Sequence, residues 1–249
     1  MDKVIFRIKR GNTEKWEYRD YEVPIEKGTT ILDGLYYIRD NIDHTLSFRA
    51  SCRMEVCGSC AMMVNNFPRT TCSTQIANVK SDGTKNGLKV IKLEPLSGYP
   101  WIRDLVVDFD DFFKKHESIK PYIIRKETPE GQLLQSPEQL AKYKQLTLCI
   151  KCGACVAACP ISNSDPLYLG PAALAAAYRF NADNRDEGKN KRLAIVSDPE
   201  GCWRCHFSAE CSEACPKDVD PASAIQKLKV QAAVFEFKRI FTGRKDGEK

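Results

Sequence analysis

"CIKCGACVAACP", residues 149–160, governs how the rest of this 249-residue chain must be read. Cys149, Cys152, Cys155 and Cys159, followed by Pro160, have the spacing C-x2-C-x2-C-x3-C-P of a bacterial-type iron-sulfur run. Where two such clusters share a chain, the fourth cysteine of one run ligates the other cluster, so the motif requires a partner elsewhere. "GCWRCHFSAECSEACP", residues 201–216, supplies that partner. Aligning the two Cys-Pro ends sets Cys215 on Cys159 and Cys211 on Cys155, with Ser208 opposite Cys152 and Cys205 opposite Cys149.

The crossing predicts two ligand sets. Cys149, Cys152 and Cys155 with Cys215 make four thiolates, enough for a [4Fe-4S] cubane. Cys159, Cys205 and Cys211 are one ligand short, because Ser208 stands where a cysteine belongs. A cubane corner without a thiolate tends to lose its iron, which predicts a [3Fe-4S] cluster. Two alternatives stay open, a fourth iron held by the Ser208 oxygen or by Cys202. Within the 201–216 run Cys202 precedes the first ligand, Cys205, and does not lie between the ligands of that run. Cys202 to His206 also has the C-x-x-C-H form of a c-type haem attachment. Haem would consume both Cys202 and Cys205, leave Cys159 and Cys211 without a cluster, and normally require export. A thioredoxin-like C-x-x-C fails too, since no βαβ pattern precedes it.

A third motif lies upstream. "SCRMEVCGSCAMMVNNFPRTTC", residues 51–72, spaces Cys52, Cys57, Cys60 and Cys72 as C-x4-C-x2-C-x11-C, the plant-type [2Fe-2S] pattern. Three thiolates come from one loop and the fourth from a neighbouring strand. Gly58 suits a loop whose backbone must approach closely and turn its N–H groups toward sulfur. Zinc has no need of the x4 arm. Disulfides disagree with the compartment, because "MDKVIFRIKR" has no apolar export signal and twelve cysteines in a reducing cytosol point to metal or redox chemistry.

Charge and hydropathy narrow the partners. The 38 basic and 33 acidic residues leave a net +5, which does not suggest nucleic acid. Seven Lys/Arg against three Asp/Glu between Lys227 and Lys249 concentrate +4 at one end, suited to an anionic neighbour or to a solvated tail. No apolar run of about 18 residues occurs, so membrane contact is expected to be peripheral or through a partner.

The pattern of elements predicts an α+β chain of two domains, 1–104 and 105–249. "KVIFRIKR" and "KWEYRDYEV" alternate like a hairpin with Val4, Phe6 and Ile8 on one side. "TTILDGLYYIRDNI" places Ile31, Leu35, Ile38 and Ile42 at helical spacing behind a threonine cap. Strands are expected at "CAMMVNNFPRTT", with a turn at Asn65-Asn66, and at "LKVIKLEPL". This is the outline of a β-grasp plant-type ferredoxin domain. After "SGYPW", the helical period of Leu105, Phe109 and Phe112-Phe113 predicts a helix through "IRDLVVDFDDFFKKHESI". "SPEQLAKYKQLTLC", "GPAALAAAYRFNADN" and "DPASAIQKLKVQAAVFEFKRIF" also read as helices, giving an all-α bacterial ferredoxin domain. In the last of these, Ile225, Leu228, Ala232 and Phe235 form an apolar stripe whose default reading is core packing.

Together "SFRASCRMEVCGSC", "RDLVVD", "KPYII", "CIKCGACVAACP", "LGPAALAAAYRF", "NRDEG" and "CPKDVDPASAIQKLK" resemble the iron-sulfur subunit of succinate:quinone oxidoreductases and quinol:fumarate reductases, over essentially the whole chain. The phrasing is more similar to the fumarate reductase branch. The resemblance implies a relay from FAD on a flavoprotein partner through [2Fe-2S], [4Fe-4S] and [3Fe-4S] to quinone at membrane-anchor subunits. It also implies a peripheral position on the cytoplasmic face of the cell membrane. No dinucleotide fingerprint G-x-G-x-x-G occurs, so the dicarboxylate chemistry is expected on the partner. By position the family's quinone pocket falls on Pro160, His206 and Lys229. Each has a plainer role available: a loop stop, a hydrogen bond to cluster sulfur, a solvated lysine. A tryptophan found in many members a few residues after the Cys-Pro is replaced by Ser164. The competing reading is a free-standing soluble carrier with the same clusters. A thiol-dependent fumarate reductase subunit would carry additional cysteine-rich repeats, and none is present.

Overall fold

Alternation turns Val4, Phe6 and Ile8 of β1 (Asp2–Gly11) inward, and all three are buried. The computed structural model, which describes residues 2–127 and 130–242, pairs β1 antiparallel with β2 (Trp16–Ile25) along its whole length. β3 (Ala61–Val64) and β4 (Phe67–Thr70) form a second hairpin. Its turn at Asn65 and Asn66 has φ of 49° and 64°, left-handed backbone that asparagine tolerates and a two-residue hairpin requires. With β5 (Thr84–Lys85) paired to β6 (Leu88–Glu94), the sheet runs β2-β1-β6-β3-β4. β1 and β6 are parallel, and the other pairs are antiparallel.

Helix α1 (Ile31–Asn41) covers this sheet. Thr30 caps it, accepting from the Asp33 N–H while the Asp33 carboxylate accepts from the Thr30 N–H. Ile31, Leu35 and Ile38 are buried in one apolar cluster with Phe6, Val23, Ile91 and Leu93. Ile42 departs from the expected stripe: it is the C-cap, its backbone leaves helical geometry, and it is 47% exposed.

The stretch after Pro100 also departs from its periodicity. Trp101–Val107 is a small hairpin, β7 (Trp101–Arg103) and β8 (Val106–Val107), and the helix α2 begins only at Asp110 (Asp110–Ser118). Asp104 makes the turn with φ 48° while almost wholly buried. Its carboxylate accepts from the N–H groups of Gly11 (2.8 Å) and Ser47 (2.9 Å) and pairs with Arg10 Nε at 3.1 Å. These long-range bonds to a buried charge outweigh local helical spacing, and Leu105 joins the first core instead.

The remaining helices are α3 (Pro137–Ala141), α4 (Ala154–Ala158), α5 (Pro160–Ser164), α6 (Gly170–Asn181), α7 (Lys189–Val196), α8 (Glu210–Glu213) and α9 (Pro221–Thr242). Two compact units result: Met1–Phe109 with Ile150–Ala158, and Asp110–Cys149 with Cys159–Lys249. The first is a β-rich α+β unit. In it, Ala154 and Ala157 of α4 pack with Ala61, Leu96 and Val107. Ser97 Oγ donates to the Ala157 carbonyl at 2.8 Å, and the Tyr99 hydroxyl donates to the Gly153 carbonyl at 3.1 Å.

The regular structure of the second unit is helical among the described residues. α9 crosses α6 and α7, burying Ile225, Leu228 and Ala232 against Leu174, Ala177, Leu193 and Val196, with Phe235 partly covered at the edge. The apolar stripe of α9 therefore packs in the core, each large side chain contributing about 1.5–3 kcal/mol. Alanines at 173 and 177 leave room for close helix approach. Of the basic end, Arg244, Lys245 and Lys249 lie outside the described residues.

A fully buried ion pair organises one side of this unit. Arg192 meets Asp186 at 2.6 and 3.0 Å and donates to the carbonyls of Ile119, Lys120 and Tyr122. Asp186→Ala strands that guanidinium in the interior and should destabilise the unit by about 3–5 kcal/mol. Thermal unfolding of the full chain, followed by circular dichroism, checks this; an unchanged Tm would contradict it.

Candidate metal centres

The first cysteine loop directs its own N–H groups at sulfur. Met54, Val56 and Cys57 N–H donate to Cys52 Sγ at 3.4, 3.3 and 3.3 Å. Cys52 N–H donates to Cys57 Sγ at 3.5 Å, and Glu55 N–H to Cys72 Sγ at 3.3 Å. Left-handed backbone at Arg53 (57°), Glu55 (56°) and Gly58 (73°) curls the loop into this concave shape. The Glu55 carboxylate accepts from the Thr70 and Ser73 hydroxyls, which ties the loop to the segment carrying Cys72. The sulfurs differ in acidity. The Ser59 hydroxyl, 3.2 Å from Cys57 Sγ, and then the Cys52 N–H pull the Cys57 thiol down to about 6. Burial first, then the neighbouring Cys60 thiol, push Cys72 up to about 12. A bound iron would supply the positive charge that lets so buried a thiol lose its proton.

Gly58 is the close approach expected of this loop, and its neighbour is Cys152. A Cβ at Gly58 would lie 2.8 Å from both the Cα and the Cβ of Cys152. The loop of the first motif thus rests directly on a cysteine of the second motif, inside the first unit.

Cys152 is buried between left-handed Lys151 (53°) and Gly153 (82°), and Cys155 is half-buried in the first turn of α4. Cys149 and Cys215 belong to the second unit. Cys149 is exposed at the end of the 3-10 turn Lys144–Leu148, and Cys215 is half-buried just after α8. Burial raises the Cys215 thiol, and the charge of Cys149 adds to that.

In the second unit Cys159, Cys205 and Cys211 line a single pocket, with Tyr168, His206 and Ser208 on its walls. Cys159 caps α5, Cys205 ends the 3-10 turn Cys202–Arg204, and Cys211 lies in α8. Left-handed Phe207 (59°) and Ala209 (64°) bend the chain on either side of the exposed Ser208. Burial, with the charge of Cys159 second, pushes Cys211 up to about 12. Cys202 does not line this pocket; it is wholly buried in the apolar core with Leu193 and Leu228, where burial lifts its thiol to about 11. Of the other expected residues, His206 is exposed on the pocket wall, and Pro160 is exposed at the first position of α5. Lys229 Nζ donates to the Cys205 carbonyl at 2.6 Å.

Among the described residues no three His, Cys, Asp or Glu side chains converge on a point as a single ion requires. In a [4Fe-4S] or [3Fe-4S] cluster each thiolate binds a different iron, and in [2Fe-2S] two thiolates share each iron, so soft sulfur donors spread around a pocket or loop fit an iron-sulfur cluster.

Comparison with known proteins finds family models over the two segments that carry these cysteines. Residues 4–114 match the family model "2Fe-2S iron-sulfur cluster binding domain" and residues 145–219 match "4Fe-4S dicluster domain". The chain is 41% identical over 246 residues to the fumarate reductase iron-sulfur subunit of Mycobacterium tuberculosis, covering 96% of this chain and 97% of the relative. It is 47% identical over 215 residues to that of Escherichia coli O157:H7, covering 86% and 85%. The chain belongs to the family of fumarate reductase and succinate dehydrogenase iron-sulfur subunits. The succinate dehydrogenase iron-sulfur subunit of Paracoccus denitrificans shares 37% identity over 89% of this chain and 87% of its own. A chain of the "Mycobacterium smegmatis Sdh1 complex in the apo form" has the same fold, with a TM-score of 0.86 and 23% identity over 95% of this chain and 98% of that one. As a member of this family of oxidoreductase subunits the chain carries electrons, through a [2Fe-2S] domain followed by a [4Fe-4S] dicluster domain. No helix among the described residues is long and apolar enough to cross a membrane.

Two residues at the third pocket escaped the spacing rules. Tyr168 is buried on its wall, and Gln226 Nε2 lies 3.9 Å from Cys205 Sγ. The sole hint in the sequence is that Gln226 and Lys229 are three apart, hence on one face of α9.

In protein stripped of iron, the Cys57 thiolate should persist down to about pH 6. Ser59→Ala should move the pH profile of Cys57 alkylation upward toward an ordinary thiol, as mass spectrometry of iodoacetamide adducts would show; an unmoved profile would assign the shift elsewhere. Gly58→Ala, with φ at 73° and Cys152 in the way, should cost about 1–3 kcal/mol and lower iron retention.

Proposed function

We propose that this chain relays electrons between a flavin on a partner subunit and a quinone held at membrane-anchor subunits, through three clusters in line. Cys52, Cys57, Cys60 and Cys72 would hold [2Fe-2S], Cys149, Cys152, Cys155 and Cys215 would hold [4Fe-4S], and Cys159, Cys205 and Cys211 would hold [3Fe-4S]. The domains would be a β-grasp plant-type ferredoxin over residues 1–104 and an α-helical ferredoxin over 105–249. When bound, the clusters supply one-electron carriers whose potentials follow from cluster type, hydrogen bonds to sulfur and burial. The residues of the chain do the rest. N–H groups of residues 52–57 hold negative charge on the first sulfurs. Gly58 brings that loop against Cys152, which shortens the path to the second set.

The observation that carries the reading is the third pocket: three thiols face it, a serine stands in the place of a fourth, and Cys202 is turned away into the core. Dependence on partners is supported by apolar side chains left in solvent, Met54 and Val56 on the first cysteine loop and Val230, Val234 and Phe237 along α9. Such side chains suit contact with partner subunits, a flavoprotein and a membrane anchor. His206 on the pocket wall, with Pro160 and Lys229 beside two of its cysteines, would border the quinone. The membrane face would be cytoplasmic. Identity to the fumarate reductase relatives, above that to the succinate dehydrogenase relative, favours the quinol:fumarate branch.

Low-temperature EPR of oxidised, fully loaded protein should show a [3Fe-4S] signal that vanishes on reduction. Ser208→Cys should convert that site to [4Fe-4S], with a gain of iron and loss of the oxidised-state signal. Cys202→Ser should leave all three clusters in place. Absence of the oxidised signal, or loss of a cluster with Cys202→Ser, would overturn the ligand set.

A further inference from the structure

Reduction adds one negative charge to a cluster and its thiolates, so any donor aimed at a ligand sulfur favours the reduced form and raises the potential. At the third pocket one such donor reaches Cys205, and a second lies on the wall that Cys205 shares with Cys159 and Cys211. Gln226, half-buried on α9, points its amide Nε2 at Cys205 Sγ across 3.9 Å, a long contact within reach of sulfur. Tyr168, almost wholly buried just before α6, lines the same pocket as Cys159, Cys205 and Cys211. Its hydroxyl is a donor on the wall that these three thiols share. Lys229, through the Cys205 carbonyl, keeps the ligand's backbone fixed while α9 presents Gln226.

We propose that Tyr168 and Gln226 are positioning residues that set the reduction potential of the third cluster through the Cys205 sulfur. The inference rests on the reading of Cys205 as a ligand of that cluster. The role of both residues is purely electrostatic, since the electron comes from the neighbouring cluster of the relay, or from dithionite in a titration, and neither residue gains or loses a proton. The geometry gives the two donors separate routes. Tyr168 acts from a rigid, dry wall, and Gln226 acts from one turn of the helix whose other face forms the core of the unit.

EPR-monitored potentiometric titration of the intact complex tests this with Tyr168→Phe, Gln226→Leu and the double variant. The midpoint of the third cluster should fall in each single variant and fall further in the double, with iron content and the midpoints of the other two clusters unchanged. A third-cluster midpoint that stays put in all three variants would refute the proposal. Should Gln226→Leu lose the cluster, the decision rests on Tyr168→Phe, which removes one oxygen and keeps the ring. Unmodified complex exchanged into deuterium oxide gives an independent readout. The third cluster should show hyperfine coupling to an exchangeable deuteron that disappears in Tyr168→Phe, and no such coupling in the unmodified complex would also overturn the idea. If the third centre proves to be [4Fe-4S], the cluster type is wrong, yet the same midpoint comparison still decides whether the two donors act on it.

Discussion

Burying a cysteine sulfur works against the charge it would carry as a ligand. A thiolate in an apolar surround is expensive, and the thiols of Cys72, Cys202 and Cys211 are all pushed upward by it. The chain answers this differently at each place. At the first motif the backbone itself is the counter-charge: left-handed residues turn four N–H groups toward Cys52 and Cys57, which can therefore remain near the surface. At the third pocket the backbone is occupied by turns, and side chains from α9 and from the Tyr168 loop take over. At Cys202 burial outweighs the charge of Lys229 and a backbone hydrogen bond, which is consistent with a neutral thiol that serves as an apolar filler.

A second consequence is the way chain segments are shared. Ile150–Ala158 folds with the β-rich unit although most residues on either side of it belong to the helical one. Ser97 and Tyr99 bind its carbonyls, small alanines let α4 lie close, and Gly58 removes the one side chain that would hold the two cysteine loops apart. The Asp104 turn makes this arrangement possible. By anchoring Gly11, Ser47 and Arg10 to one buried carboxylate, it stops the chain from entering a helix too early and holds Val107 and Phe109 against the α4 cluster.

The helical unit depends on a different balance. Its cysteine loops are short and irregular, and α8 is a single turn. Their rigidity comes from α9, a 22-residue helix whose buried stripe runs through Ile225, Leu228 and Ala232. Lys229 and Gln226 reach from that same helix to Cys205. Arg192 and Asp186 fix the opposite side by satisfying three carbonyls that no helix or sheet pairs. Hydrophobic burial and polar satisfaction meet there, since Ile119, whose carbonyl Arg192 binds, lies in the same apolar cluster as Ile225 and Leu228.

The cysteine motifs, the first hairpin, the Asn65-Asn66 turn and the capped helix α1 were all legible in the sequence. Each rests on local spacing: the fixed offsets of a ligand loop, the period of two in a strand, a cap three residues from its partner. The proposed role of Ser208 comes from the same kind of spacing, since it stands opposite Cys152 once the Cys-Pro ends are aligned. Tertiary structure alone decided the rest. It made Trp101–Val107 a hairpin where periodicity called for helix, because Asp104 is held by residues more than fifty positions away. It turned Cys202 into the core, set Gly58 on Cys152, and brought Tyr168 and Gln226 to Cys205. Those contacts join distant segments, and their energy comes from burial that exists only once the chain has folded.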